Sequence, residues 1–241
     1  MRVEKSQSGR PYAGRSTAEK PSYGSGKRPT GKPQFDRQSE RAPRPPGKSM
    51  ESSQEREEYA WVLDYLPYGK SVGNAAAYQK KPLVQAVGDK KFTLMELVPK
   101  SGVVPQIQSR VYIGSGDRDE IDHVKQRIGY SDLTTGANLE LPFILEACVR
   151  YQETRFVKFF NEAHSITTRL HMLDLLPGIG KKLMWSIIDE RKKGEFKSFQ
   201  DIKDRIPSLH DPAKVLAHRI EDELKDDFIK YRLFTTPPRR Q

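Results

Sequence analysis

Residues Leu176 to Lys182 read Leu-Pro-Gly-Ile-Gly-Lys-Lys, and no other segment of this chain is so well suited to holding a charged ligand. Glycine reaches left-handed backbone angles and lets a second molecule approach the main chain closely. A helix starting straight after Gly180 leaves its first N–H groups without partners inside the helix, and its dipole places positive charge at that end. Phosphate oxygens fit such a terminus, and Lys181 and Lys182 add charge beside it. The elements that must position this turn can be read on both sides. Ile166, Leu170 and Leu173 recur at i, i+4 and i+7, which predicts a helix that Ser165 can cap. Leu183, Met184, Ile187 and Ile188 predict a second helix, closed by Arg191, Lys192, Lys193 and Gly194. The alternative is a plain interhelical turn with Ile179 plugging the core. The two lysines that follow favour the phosphate reading.

From His164 to Gly194 the segment resembles the helix-hairpin-helix motif of proteins that bind nucleic acid without sequence specificity. The resemblance implies that Gly178, Ile179 and Gly180 contribute backbone contacts to a strand, in some cases with a monovalent cation held by hairpin carbonyls.

The net charge of +10 is unevenly spread over the 241 residues. Residues 1–48 hold twelve basic and four acidic side chains, a net +8, whereas the remainder holds 30 and 28, a net +2. The basic balance therefore describes mainly the N-terminal segment. Hydrophobic residues make up 35%, which is low for a chain folded throughout. Residues 1–50, rich in Gly, Pro, Ser, Arg and Lys with scattered Tyr12, Tyr23 and Phe35, read as a disordered basic tail. Such a tail either follows a phosphate backbone by counterion release or keeps the protein soluble.

Short β-favouring runs at residues 59–66, 83–88, 92–98 and 109–113 predict four or five strands between about 58 and 135. Small barrels of this size, above all the OB fold, hold single-stranded or irregular nucleic acid on one curved face. Lys70, Lys80, Lys81, Lys90, Lys91 and Arg110, with Tyr112, are the candidate contacts there. Ile121, Val124 and Ile128 predict a helix over 117–128. Residues 140–163 predict one long connecting helix, with Phe143, Ala147, Tyr151, Phe156 and Phe160 as packing residues. Ser198 caps a following helix, Asp211-Pro212 opens another, and together 164–226 read as a tandem helix-hairpin-helix domain. Its second turn, residues 206–210, lacks the Gly-x-Gly of the first and reads as structural. Residues 227–241 predict a returning strand and a basic end. The fold class expected is thus α+β: a small OB-like β-barrel followed by an all-α domain.

No catalytic constellation emerges. His123, His164, His171, His210 and His218 lie on different predicted elements without a metal-ligand spacing. Cys148, the single cysteine, sits among apolar neighbours and allows neither an intramolecular disulfide nor a Cys-based metal site, which suits a reducing interior. No apolar run reaches the length of a membrane span and no secretory signal is visible, so the cytoplasm is the expected location.

With barrel, connecting helix and hairpin in this order, residues 59–234 resemble an archaeal family of unassigned function, described as nucleotide-binding, that couples an OB-like domain to helix-hairpin-helix. The segment from Arg127 to Thr134 and the Leu-Pro-Gly-Ile-Gly-Lys run carry the resemblance. It implies nucleic-acid binding without a reaction. The expectation is a non-enzymatic RNA-binding protein with ribonucleoprotein partners, no membrane partner and no cofactor beyond that cation. A DNA repair or recombination accessory factor and a protein-interaction adaptor are the alternatives.

Overall fold

The computed structural model describes residues 56–70 and 81–236. The expected basic tail, Lys80 and the final basic residues lie outside the described residues. What is described has a mixed α+β architecture: a curled five-stranded antiparallel half-barrel and five α-helices.

The strands are β1 (Tyr59–Leu66), β2 (Leu83–Gly88), β3 (Leu94–Pro99), β4 (Arg110–Tyr112) and β5 (Ile121–Arg127). They lie in the order β4-β1-β2-β3-β5, each pair antiparallel. Side chains alternate between faces along a strand, so each face collects its own set. Ala60, Val62, Val84, Ala86, Met95, Leu97, Val111 and Ile121 form one core enclosed by the curl of the sheet. Leu63, Val87 and Leu94 join the helices in a second core. A register shift between Val62 and Asp64 accommodates Leu63 as an extra residue. Gln85 locks the sheet to the chain leading into the helices: its amide donates to the Asp132 carbonyl (3.0 Å) and its oxygen accepts from Thr134 N–H (2.8 Å).

Thr134 caps α1 (Thr135–Tyr151), its hydroxyl accepting from Ala137 N–H. Then follow α2 (Glu153–Glu162), α3 (Lys181–Lys193), α4 (Phe199–Arg205) and α5 (Pro212–Lys225). Ser198 and Asp211 cap the last two as their sequences predict.

Four local expectations fail, each for a physical reason. Residues 121–127 pair with β3 and do not form a helix: a lone edge leaves backbone groups unpaired, and Ile121 completes the core inside the curl. The single helix over 140–163 is two helices, broken at Gln152, whose side chain donates to the Asp89 carbonyl at 2.7 Å. Of its proposed packing residues Phe156 and Phe160 are buried, but Phe143, Ala147 and Tyr151 face outward, because α1 is apolar on two sides and buries the stripe of Leu141, Ile144, Leu145, Cys148 and Val149. Residues 227–235 form a strap without ladder pairing, since the Glu223 carboxylate takes the N–H groups of Leu233, Phe234 and Thr235. The fourth failure is the first helix of the hairpin, at residues 166–173.

Cys148 is fully buried between α1 and the β2–β3 turn, and burial pushes its thiol up to about 12. A disulfide reagent at pH 8 is expected to leave the native chain unmodified and to label one thiol after denaturation. Rapid labelling of the native protein would show that α1 opens locally.

Candidate nucleic-acid interface

The helix predicted over 166–173 is replaced by a tight hairpin and a single turn of 3-10 helix, Met172–Leu175. Three consecutive β-branched residues, Ile166, Thr167 and Thr168, disfavour a helix. The Thr167 hydroxyl accepts from Arg169 N–H and Leu170 N–H, and Ser165 bridges to His171, so the local chain satisfies itself otherwise. His171 caps the 3-10 turn: its Nδ1 accepts from Leu173 N–H (3.1 Å), while the Asp174 carboxylate accepts from His171 N–H (2.9 Å).

Leu176 follows, its carbonyl accepting from Ile179 N–H at 3.1 Å. Gly178 has φ +77, a left-handed angle that favours glycine, and Ile179 drives its side chain into the core. Gly180 is the N-cap of α3 and offers no side-chain acceptor, so its carbonyl takes Met184 N–H (2.9 Å) and the N–H groups of Lys181, Lys182 and Leu183 point out of the helix end unpaired within it. A Cβ placed on Gly178 or on Gly180 meets no atom within 4 Å. The turn is therefore an open cradle of backbone donors at the positive end of a 13-residue helix.

The two lysines divide. Lys181 turns back to donate to the Asp174 carboxylate and, at 3.0 Å, to the Arg169 carbonyl, tying α3 to the 3-10 turn. Lys182 is exposed at the helix end. Sequence reasoning missed Trp185, one turn beyond Lys182 on the same side of α3 and 56% exposed. Its signal was available: the buried stripe of α3 is Met184, Ile187 and Ile188, and Trp185 is off it.

The cap responds to pH. Burial lowers the tendency of His171 to take a proton, and Arg191 adds to the effect. Burial raises Asp174, but Lys181 and the His171 N–H outweigh it and hold that carboxyl below its ordinary range. Both groups thus resist protonation more in the folded chain than in the unfolded one, so stability is lost as pH falls. His171 acts first, below the ordinary imidazole range near 6.5. The thermal midpoint is expected to drop between pH 7.5 and 5.5, and His171→Asn, which keeps a capping acceptor, should flatten that slope. An unchanged slope in the variant would assign the effect elsewhere.

On the sheet, the candidate residues fall into separate groups. Lys70 pairs with the buried Glu96 (2.8 Å) and donates to the Asp132 carbonyl (2.7 Å). Burial raises Glu96, and the pairs with Lys70 and Lys125 reverse that and hold it low. Lys70 and Lys81 line a groove of about 630 Å³ with His123, Lys125 and Arg127, which the pairing of β5 with β3, in place of the expected helix, brings there. Lys90 and Lys91 sit on the β2–β3 turn, where their N–H groups donate to the Glu57 carboxylate at 2.8 and 2.9 Å. Arg110 pairs with Asp89 (2.6 Å) and stacks on Tyr59, 3.5 Å from the ring centre. The Tyr112 hydroxyl accepts from Gly116 N–H, and its ring packs edge-on against Tyr59. Lys80 lies outside the described residues.

Residues 56–236 match the family model described as "Protein of unknown function (DUF655)". The chain belongs to this family. Similar to it is the uncharacterized protein MJ0038 of Methanocaldococcus jannaschii, 50% identical over 185 residues, which cover 75% of this chain and 81% of that one. The crystal structure of Af1531 from Archaeoglobus fulgidus, determined as a model of the same family, superposes with a TM-score of 0.71 at 46% identity, covering 75% of this chain and all of that one. The expectation of an archaeal family of unassigned function agrees with these matches, which say nothing of nucleotide binding or of a helix-hairpin-helix domain. Its description assigns no activity, and the matched span leaves out the N-terminal basic segment.

Proposed function

We propose that this protein binds nucleic acid without acting on it chemically, and that its ligand is RNA. The open cradle from Gly178 to Lys182 carries the reading: bare backbone donors, an uncapped helix terminus, an exposed lysine and no side chain in the way. In this reading the 3-10 turn and α3 form a first helix-hairpin-helix unit and α4 with α5 a second. The half-barrel is OB-like, an assignment supported by β1 pairing with β2 on one side and β4 on the other, and by the core that the curl encloses. Basic residues of β5 and the groove beside them extend the path of the strand.

Trp185 favours RNA with unpaired bases over duplex DNA. An exposed indole one helical turn from a phosphate cradle offers a stacking platform, and bases in a duplex are not free to use it. A cytoplasmic ribonucleoprotein role, and a monovalent cation at the hairpin carbonyls, belong to the same proposal.

Fluorescence anisotropy with the full chain tests it, using a labelled single-stranded RNA and a DNA duplex over a series of salt concentrations. Tighter binding of the RNA is expected, with log affinity falling linearly in log salt. Trp185→Ala should weaken RNA binding about tenfold, from the loss of one stacked base. Preference for the duplex would favour the repair-factor reading, and no binding to either would end both.

A further inference from the structure

Three exposed apolar side chains recur along the outward side of α1: Leu139 (67% exposed), Phe143 (68%) and Tyr151 (62%), with Ala147 completing the four-residue spacing. The β3–β4 loop adds Val104 and Ile107, and a hydrogen bond from Gln108 to Glu140 (2.8 Å) holds that loop against α1. These five large side chains leave on the order of 500 Å² of apolar surface bare, the upper end of what a monomer shows. With a polar rim, the patch approaches the ~800 Å² per partner of a standard interface.

We propose that α1 pairs with α1 of a second copy of this chain, antiparallel about a two-fold axis at the level of Leu145. The sequence of the helix is complementary to itself in that register. Residues whose numbers add to 290 face each other. Phe143 of each copy then lies over Ala147 of the other, a large side chain against a small one, and Leu139 lies against Tyr151. Glu140 comes near Arg150, which already pairs with Glu146 (2.7 Å) and Asp211 (2.6 Å) in its own chain, so opposite charges adjoin at each end of the contact. Shifting the axis to Phe143 would set Glu140 against Glu146 and would place the two phenylalanines on the same spot. A two-fold pairing is closed, so it gives a dimer and not a fibre. The four-residue ridges match the commonest helix packing class. None of these residues belongs to the cradle at Gly178–Lys182, so pairing through α1 and binding at the cradle use different residues.

Sedimentation velocity of the full chain from about 1 to 100 µM tests the proposal, and the register is tested with variants at exposed positions. The wild-type chain is expected to reach twice the monomer mass. Phe143→Glu and Ala147→Arg should each be monomeric over the same range with an unchanged thermal midpoint. Mixed in equal amounts, the two should form a heterodimer, because Glu at 143 of one chain then faces Arg at 147 of the other. A wild-type chain monomeric at 100 µM overturns the proposal, as does a dimer that survives Phe143→Glu. Failure of the mixture to pair, with both variants folded, overturns the antiparallel register.

Discussion

Replacing Gly180 by Asp is expected to lower nucleic-acid affinity by about 10- to 100-fold while leaving the thermal midpoint unchanged or slightly raised. The two effects have opposite signs because one side chain serves the fold and opposes the ligand. Gly180 has extended backbone angles (φ −81, ψ 173), and its added Cβ meets nothing, so Asp enters without strain. At the N-cap a carboxylate accepts from a first-turn N–H and adds a few tenths of a kcal/mol to helix stability over glycine. That same carboxylate occupies the place of a phosphate oxygen and repels the next one. Losing a hydrogen bond to a charged group costs about 1.5–3 kcal/mol, which gives the fold-change stated. The salt slope should shrink by about one unit, because one phosphate fewer is neutralised by the protein. Titration of RNA against both chains by anisotropy, with a melting curve on each, measures both quantities. Equal affinities would remove the hairpin from the interface, and a lower midpoint would mean that residue 180 does not cap α3 in solution.

What the sequence made legible follows a physical divide. Interactions within one turn of chain were mostly readable: the Gly-Ile-Gly turn, the start of α3, the Ser198 and Asp211 caps, and the strands β1 and β2 with their apolar runs. The exception is residues 166–173, where the β-branched run and the Thr167 hydroxyl override the apolar spacing. Interactions that depend on a distant partner were not. Residues 121–127 carry a pattern compatible with a helix, and only the free edge of β3, more than twenty residues upstream, makes them a strand. Leu139 and Phe143 are as apolar as Leu141 and Ile144, so no local rule says which stripe of α1 turns inward. Charge alone marks a lysine as a candidate, and charge does not reveal that Lys70 is committed to Glu96 or Lys181 to Asp174. Such commitments decide function, since a lysine neutralised inside the fold adds little to a phosphate contact. Lys182 and Trp185 remain facing solvent.

The largest stability effect is expected from Glu223→Ala. Glu223 is fully buried on α5, and its carboxylate accepts from the N–H groups of Leu233 (2.7 Å), Phe234 (3.1 Å) and Thr235 (3.0 Å), from the Thr235 hydroxyl (3.0 Å), and from Arg219 (2.9 Å). One side chain thus substitutes for a sheet partner along the strap, which is why a segment with a strand-like sequence has no ladder. Truncation leaves three backbone donors without acceptors and a nearly buried Arg219 without its counter-charge. Removing one partner of a buried pair costs about 3–5 kcal/mol. For a folded region of this size that lowers the melting point by about 6–20 °C. The loss reaches further than the strap, because Phe234 packs edge-on against Phe156 and Phe159 of α2, whose ring centres lie 5.5 and 5.0 Å away. Freed of Glu223, the strap should expose that aromatic cluster and become cleavable by trypsin at Lys230 and Arg232 before the rest of the chain unfolds. Urea denaturation and timed proteolysis of the variant measure the two consequences separately. A loss below about 1 kcal/mol, the net worth of one ordinary hydrogen bond, would mean that the carboxylate does not hold the strap in solution.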